Sequence, residues 1–435
     1  EISECLVGSE MCIRDRYIKE GDNLQEKIDE AILKSSKLVI KKGLYETTPL
    51  FIKGALTLEF EEGATLLATT NEALYHNIKT RVAGIEMEWY PALLNVIDTS
   101  NVIIKGQGIL DGNGPYWWNK YWGLDMKGGY RKIYDEKGLR FAADYDFKRP
   151  RNLLVQNSSN VKIYDITSTS SGFWNIHILY SNDILIENIK IKSEALNSPS
   201  TDGIDIDSSY NVVVNKVETN CNDDSVCIKS GRDFDGIRVG RPSHDITISN
   251  SIINKGFGVT IGSEISGGVY NVNISNLKYY NTDCGFRIKS SYPRKGYIKD
   301  VKISNLEMTN IKYLFHMCLN WNPNYSICKM PPNYNGPIYH HYEVLTHETA
   351  GANTKVSDIL IENVNAYNTD DYKGISRIFN LEGFSDMPIS NITFKNVKAA
   401  AKEFGYLYYT KNINFIDCSF SASEAHFNEN DDYDN

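Results

Sequence analysis

The sequence contains no apolar run long enough to cross a membrane as a helix, which removes the helical membrane classes from consideration. It has no dominant basic block, and its formal net charge is −9, so a nucleic-acid partner is disfavoured. An acidic chain can still take an anionic ligand, provided the site supplies its own Arg and Lys. The 8 cysteines show no metal-ligand spacing. They read as buried thiols or as one or two disulfides, with buried thiols the simpler expectation. No helical pattern of the length a βαβ unit needs separates the apolar segments, and the signature of a WD propeller is missing.

The 435 residues have an ordinary soluble composition, 41% hydrophobic and 23% charged, with 28 Tyr. The first residue is Glu1, and CLVGSEMCIRDR at 5–16 reads as a translated sequencing scar, so residues 1–16 are set aside as a non-native leader. The native N-terminus, with any export signal, is then expected to be missing.

The rest of the chain repeats itself. A unit of Asn or Asp followed by alternating apolar residues recurs as NVIIKGQ (101–107), NVKIYDI (160–166), DILIENI (183–189), NVVVNKV (211–217), DITISNS (245–251), NVNISNL (271–277), DVKISNL (300–306), DILIENV (358–364), NITFKNV (391–397) and NINFIDC (412–418). Period-2 alternation and β-branched residues make each unit a short strand. A spacing of 20–35 residues without intervening helices predicts a parallel β-helix, with the recurring Asn stacked in ladders at the turns. Two double spacings, 101 to 160 and 300 to 358, predict a hidden or degraded copy in each of 113–150 and 313–350. The helical stretch 24–34 is placed as a cap over the open end. The expected organisation is one β-helix domain over 17–435, with loop insertions at about 113–150 and 313–350. These insertions carry Tyr116, Trp117, Trp118, Tyr121, Trp122, Trp321 and Tyr325. The aromatics either pack the loops onto the solenoid or wall a sugar groove.

Two acidic motifs stand out, STDGIDID (200–207) and NDDSVCIKSG (222–231). Asp202 and Asp223 are 21 residues apart, close to one coil, so neighbouring rungs can bring them together. Asp223 and Asp224 would face opposite ways on a regular strand, and a bend after Asn222 would turn both to one side. Carboxylates so crowded repel, and at least one pKa should rise, giving a proton donor beside ionised bases. The plain alternative is turn chemistry, which Asp favours anyway. In GFRIKSS (285–291), Arg287 and Lys289 share one strand face, a pair suited to a sugar carboxylate.

Taken in order, these motifs resemble glycoside hydrolase family 28, the polygalacturonase family, from about residue 37 to 420. GQGILDGNGPYWW, RPRNL, SSGFWNIH, IGSEISGGV and GFSDMPISNITFKNV carry the resemblance together with TDG, NDD and RIK. It implies an all-β, right-handed parallel β-helix and inverting hydrolysis of α-linked galacturonate polymers, with no metal and no cofactor. It implies that Asp223 is the general acid and that Asp202 and Asp224 activate the attacking water. Arg287 and Lys289 would bind the uronate carboxylate, and Tyr325 is the candidate for the family's substrate-binding Tyr. Rungs about 4.8 Å apart do not by themselves give the wider carboxylate separation of inverting enzymes, so the inverting expectation comes from the resemblance. Two positions depart from it. Ser200 stands where Asn is usual, and Phe257, in KGFGVTIGSE, stands where the family has His. His177 matches another position. Phe257 lies at the expected cleft, so it counts among the substrate-binding residues, and its presence keeps rhamnogalacturonan or another acidic polysaccharide open as substrate. A carbohydrate-binding solenoid with weak catalysis and a lyase are the further alternatives. The insertions point to an end-closed cleft and exo action. The expected setting is secreted or periplasmic, as a monomer, with an acidic polysaccharide as partner.

Overall fold

The computed structural model describes residues 16–34, 36–193, 197–292, 294–347 and 353–424. Of the set-aside leader, residues 1–15 lie outside the described residues, whereas Arg16 belongs to the first strand, Arg16–Ile18, whose partner is Lys37–Ile40.

The coils build two parallel sheets, and the chain winds as a right-handed parallel β-helix. One sheet has 11 strands stacked in chain order from Leu50–Ile52 to Glu403–Tyr408. The other, of 20 strands, takes two short strands per coil, such as Ser159–Tyr164 and Thr167–Thr169. Further along, the two merge into single long strands such as Ser243–Asn254. Apolar residues of successive rungs meet in register inside: Ile176, Ile204, Val226, Val259, Phe286, Phe315 and Phe379 follow one another down the 11-stranded sheet, all buried. The residues between them point outward, and on this sheet the outward residues build the site.

The recurring Asn and Asp turn the corners. Asn160, Asn211, Asn271 and Asn391 all adopt left-handed φ between 50° and 56°, where Asn is tolerated better than most residues. Their side chains form the expected ladder: Asn160 donates to Asn101 at 2.6 Å, Asn305 to Asn276 at 3.0 Å and Asn396 to Asn363 at 2.8 Å. The helix Leu24–Lys34 covers the open end, burying Leu24, Ile28 and Ala31. Its Gln25 amide both donates to the Phe51 carbonyl at 3.0 Å and accepts from the Phe51 N–H at 2.8 Å, standing in for a missing strand.

The double spacings hide no coil. Val102 pairs directly with Val161, and Val301 with Ile359. Each is one coil from which a long insertion leaves, so chain distance overcounts rungs wherever a loop is inserted. The insertions contain helices, Gly114–Trp122 and Gly129–Glu136 in the first and His340–Thr346 in the second. An antiparallel hairpin, Ile78–Val82 with Ile85–Trp89, was not visible as a unit in the repeat pattern. These three pieces lock together over the 11-stranded sheet. Asp146 of the first insertion receives Tyr134 at 2.7 Å, and also Tyr342 of the second. Trp89, Phe141, Tyr145, Phe173, Trp174 and Tyr342 share one apolar cluster beneath. The six described cysteines are free thiols, and Cys5 and Cys12 lie outside the described residues. No helix among the described residues is long and apolar enough to cross a membrane.

Candidate active site

The two acidic motifs open onto one cavity of about 890 Å³ between the 11-stranded sheet and the insertions. Asp202 precedes the strand Ile204–Asp207, and the Asp223–Asp224 pair precedes the next rung, Val226–Lys229. The chain bends at 222–223. The Asp224 N–H donates to Asp223 Oδ1 at 2.9 Å, and the Gly203 N–H to the Asp224 carbonyl at 2.8 Å, which ties the two rungs. Asp202 and the half-buried Asp223 line the cavity. Asp224 is fully buried one layer deeper.

Asp224 is held as an anion. Lys289 Nζ lies 2.7 Å from its Oδ2, Arg287 3.7 Å from its Oδ1, and the Thr260 hydroxyl donates to Oδ1 at 2.6 Å. Burial works against ionisation, but Lys289, Arg287 and Lys229 outweigh it and the pKa falls below the usual carboxylate range. Asp223 moves the other way: burial and then repulsion from Asp224 raise it, only partly offset by Lys289 and Lys229. Asp202 is raised well above its ordinary value by burial and by Asp223 and Asp205. One carboxyl pushed down and two pushed up thus share one site, which is the division of labour that acid–base catalysis needs.

Two further charged groups escaped the motif reading. Asp205 and Lys229 lie inside the quoted motifs, at outward strand positions. Lys229 Nζ sits 3.7 Å from Asp202, 3.5 Å from Asp205 and 3.3 Å from Glu264, under the Trp174 ring at 5.0 Å. The alternation IDID and CIK could have flagged both as outward-facing. Neither oxygen of the wholly buried Asp205 takes a hydrogen bond from a described residue, and burial raises its pKa well above the usual range.

Arg287 and Lys289 project from the same outward face two rungs beyond the acidic pair, as the alternation requires. Phe257 and Trp321 enclose Arg287, their ring centres 4.8 Å and 5.8 Å from its guanidinium carbon, and Lys289 lies 4.6 Å from the Trp321 ring. The glycines flanking Phe257 are needed for this approach. Gly256 has φ +77° and a Cβ there would fall 2.5 Å from the Asp223 carbonyl, while at Gly258, φ +70°, it would fall 2.2 Å from that of Cys284. The Phe257 N–H donates to the Asp223 carbonyl at 3.0 Å, so the aromatic is anchored to the acidic bend. Tyr325 also lines the cavity, its ring held between the guanidiniums of Arg140 at 5.2 Å and Arg232 at 4.7 Å. The loop aromatics divide. Trp117 and Trp118 are buried packing residues, and Tyr121, Trp122, Trp321 and Tyr325 face the cavity.

Donor atoms of Asp202, Asp224 and Cys227 come within 4.8 Å of one another, the spacing a metal would need. Lys289 and Lys229 already supply the positive charge there, and burial drives the Cys227 thiol pKa well up, keeping it neutral. That donor set does not suit a cation.

His177 is no part of the cavity wall. It is wholly buried, with Arg151 NH1 2.7 Å from Nδ1 and Asp207 Oδ2 3.5 Å from Nε2. Arg151 can only donate, so Nδ1 accepts and Nε2 carries the proton. Burial, helped by Arg151, lowers the His177 pKa to about 4. A depressed histidine stabilises the fold above the unfolded pKa near 6.5, and the benefit is lost as pH falls through about 4. The expected loss is about 3 kcal/mol across that window. Urea unfolding of wild type and His177→Gln at several pH values checks this, and the variant should show a flatter acid slope.

A family model described as glycosyl hydrolases family 28 matches residues 74–329. An endo-polygalacturonase of Pectobacterium parmentieri is 29% identical over 277 residues, 60% of this chain and 62% of that protein. An exo-poly-alpha-D-galacturonosidase of Dickeya chrysanthemi is 24% identical over 421 residues, 87% of this chain and 68% of that protein. Among solved structures, an exopolygalacturonase from Thermotoga maritima superposes with a TM-score of 0.70 at 26% identity, covering 90% of this chain and 88% of that one. The chain spans about two thirds of the length of the curated relatives it matches.

Proposed function

Because the chain belongs to glycosyl hydrolases family 28, we propose that it hydrolyses α-linked galacturonate in pectic polysaccharide, removing sugars from a chain end. The observation that carries this reading is the split of protonation across one bend: Asp223 raised and facing the cavity, Asp224 lowered and clamped by Lys289. Asp223 gives its proton to the glycosidic oxygen as the bond to the leaving sugar breaks. A water placed between Asp224 and Asp202, whose carboxylate oxygens approach within 4.8 Å, loses its proton to Asp224 and attacks the anomeric carbon from the opposite face. Asp202 starts protonated and accepts a hydrogen bond from that water through its carbonyl oxygen. Lys229 fixes its position. Arg287 and Lys289 hold the sugar carboxylate, with Phe257 and Tyr325 shaping the walls around it.

Exo action draws support from the interlocked insertions, which put Tyr121, Trp122 and Tyr325 in the cavity wall and in this reading close one side of it. The similarity to proteins called exopolygalacturonase and exo-poly-alpha-D-galacturonosidase agrees with it. The protein acts outside the cytoplasm, where such polymers occur.

Product analysis on homogalacturonan and rhamnogalacturonan tests the reading. Small sugars released from homogalacturonan from the first minutes, with slow loss of viscosity, are expected. A rapid viscosity drop would overturn exo action, and turnover of rhamnogalacturonan alone would overturn the substrate.

A further inference from the structure

The cavity has a second basic pole, which no motif announces. Arg140, from the first insertion, lines it with its side chain 22% exposed. Behind it lies a compact charge cluster. Arg140 NH1 donates to Asp144 Oδ2 at 3.0 Å, Arg149 NH2 to Asp144 Oδ1 at 3.1 Å, and the Tyr121 hydroxyl to the same Oδ1 at 2.6 Å. Two guanidiniums share one carboxylate, so the cluster keeps a surplus positive charge. Arg149 is wholly buried and also donates to the Pro199 carbonyl at 2.8 Å and to Ser200 Oγ at 3.3 Å. That anchors the cluster on the coil leading into Asp202. Tyr121, Asp144 and Arg140 all line the cavity, and of the cluster's two guanidiniums only that of Arg140 does.

Position gives this cluster its meaning. Arg287 and Lys289 stand two rungs beyond the acidic pair, towards the C-terminal end of the solenoid. Arg140 is tied to the Ser200 coil through Asp144 and Arg149, and is separated from them by Tyr325 and Trp321, whose rings meet edge to face at 5.8 Å. Asp202 and Asp223 line the same cavity as both positive poles. A neutral sugar on the closed side would leave the Arg140 charge partly desolvated, with only the carboxylate it shares with Arg149 to balance it, which is costly. A uronate there would meet a planar, charge-matched donor.

We propose that Arg140 is a specificity-determining residue that binds the carboxylate of the sugar on the closed side of the scissile bond. The enzyme then requires a uronate on both sides of that bond, which selects homogalacturonan over a backbone alternating uronate with a neutral sugar. This rests on the hydrolase reading above and deepens it.

The test compares trigalacturonate with the same trisaccharide methyl-esterified only on its non-reducing terminal sugar. Wild type should prefer the free acid by about 10- to 100-fold in kcat/KM, the range of one charged hydrogen bond, mostly through KM. Arg140→Gln should lose that preference, and Arg140→Lys should keep part of it. Equal wild-type rates on the two substrates, or undiminished preference in Arg140→Gln, would overturn the proposal. Calorimetric titration of both ligands into Asp223→Asn and into Asp223→Asn/Arg140→Gln reads the subsite without turnover. Loss of ester discrimination in the double variant supports it, and unchanged discrimination overturns it. Absence of hydrolysis by wild type would instead sink the hydrolase reading, so the two failures are separable.

Discussion

Asp223→Asn is expected to abolish turnover: the rate on an oligogalacturonide should fall by about 10³-fold or more, equivalent to about 4 kcal/mol of lost transition-state stabilisation. The substitution removes the donated proton and little else. An Asn side-chain oxygen can still accept the 2.9 Å bond from the Asp224 N–H, and Asn is as content as Asp in a bend. The carbonyl of residue 223 still receives the Phe257 N–H. Thermal unfolding should therefore change little. That contrast separates a catalytic acid from an Asp kept for its turn, because a turn residue would lose stability and activity together. A steady-state assay beside a melting curve on the same preparation decides the matter.

Lys289→Met is expected to cost about 10²-fold in kcat/KM, the scale of removing one preorganised charge from a buried site. It also changes the pH profile in a defined direction. Asp224 must be ionised to act, so the rate falls as pH drops through its depressed pKa. Asp223 must be protonated, so the rate falls again as pH rises through its elevated pKa. Taking away the 2.7 Å Lys289 contact leaves burial less opposed at Asp224, and its pKa climbs. The acid limb then moves to higher pH. Met keeps the stem that packs near Trp321 while losing the charge. An acid limb that stays put, with only KM raised, would confine Lys289 to holding substrate.

The repeat unit announced the solenoid because each coil must alternate apolar and polar residues and must turn on a residue that tolerates left-handed φ. The Asn ladder from Asn101 to Asn160 and from Asn363 to Asn396 is that demand made visible. Counting coils from spacing failed at 101–160 and 300–358 because register follows space, and an insertion consumes residues without adding a rung. In the site, Arg287 and Lys289 were legible because their strand positions fix which way they face, and Asp202, Asp223 and Asp224 because their motifs stand one coil apart just before successive strands. Lys229 and Asp205 were equally available from alternation but were masked by the turn residues beside them. Arg140 was not legible at all. Its place depends on how a helical insertion folds back over the sheet, through Asp144, Arg149 and Tyr325, and no local period records that. Phe257 shows the intermediate case: its departure from the family pattern could be seen in the sequence, but its contact with Arg287 could not.

The most direct test of the account is to follow trigalacturonate hydrolysis by proton NMR from the first turnover, with wild type and Asp223→Asn side by side. Wild type is expected to release product whose newly formed anomeric centre is initially β, inverted from the α linkage, and the variant to leave the substrate intact. An initial α product, an unsaturated uronate signal, or equal behaviour of the two proteins would contradict it.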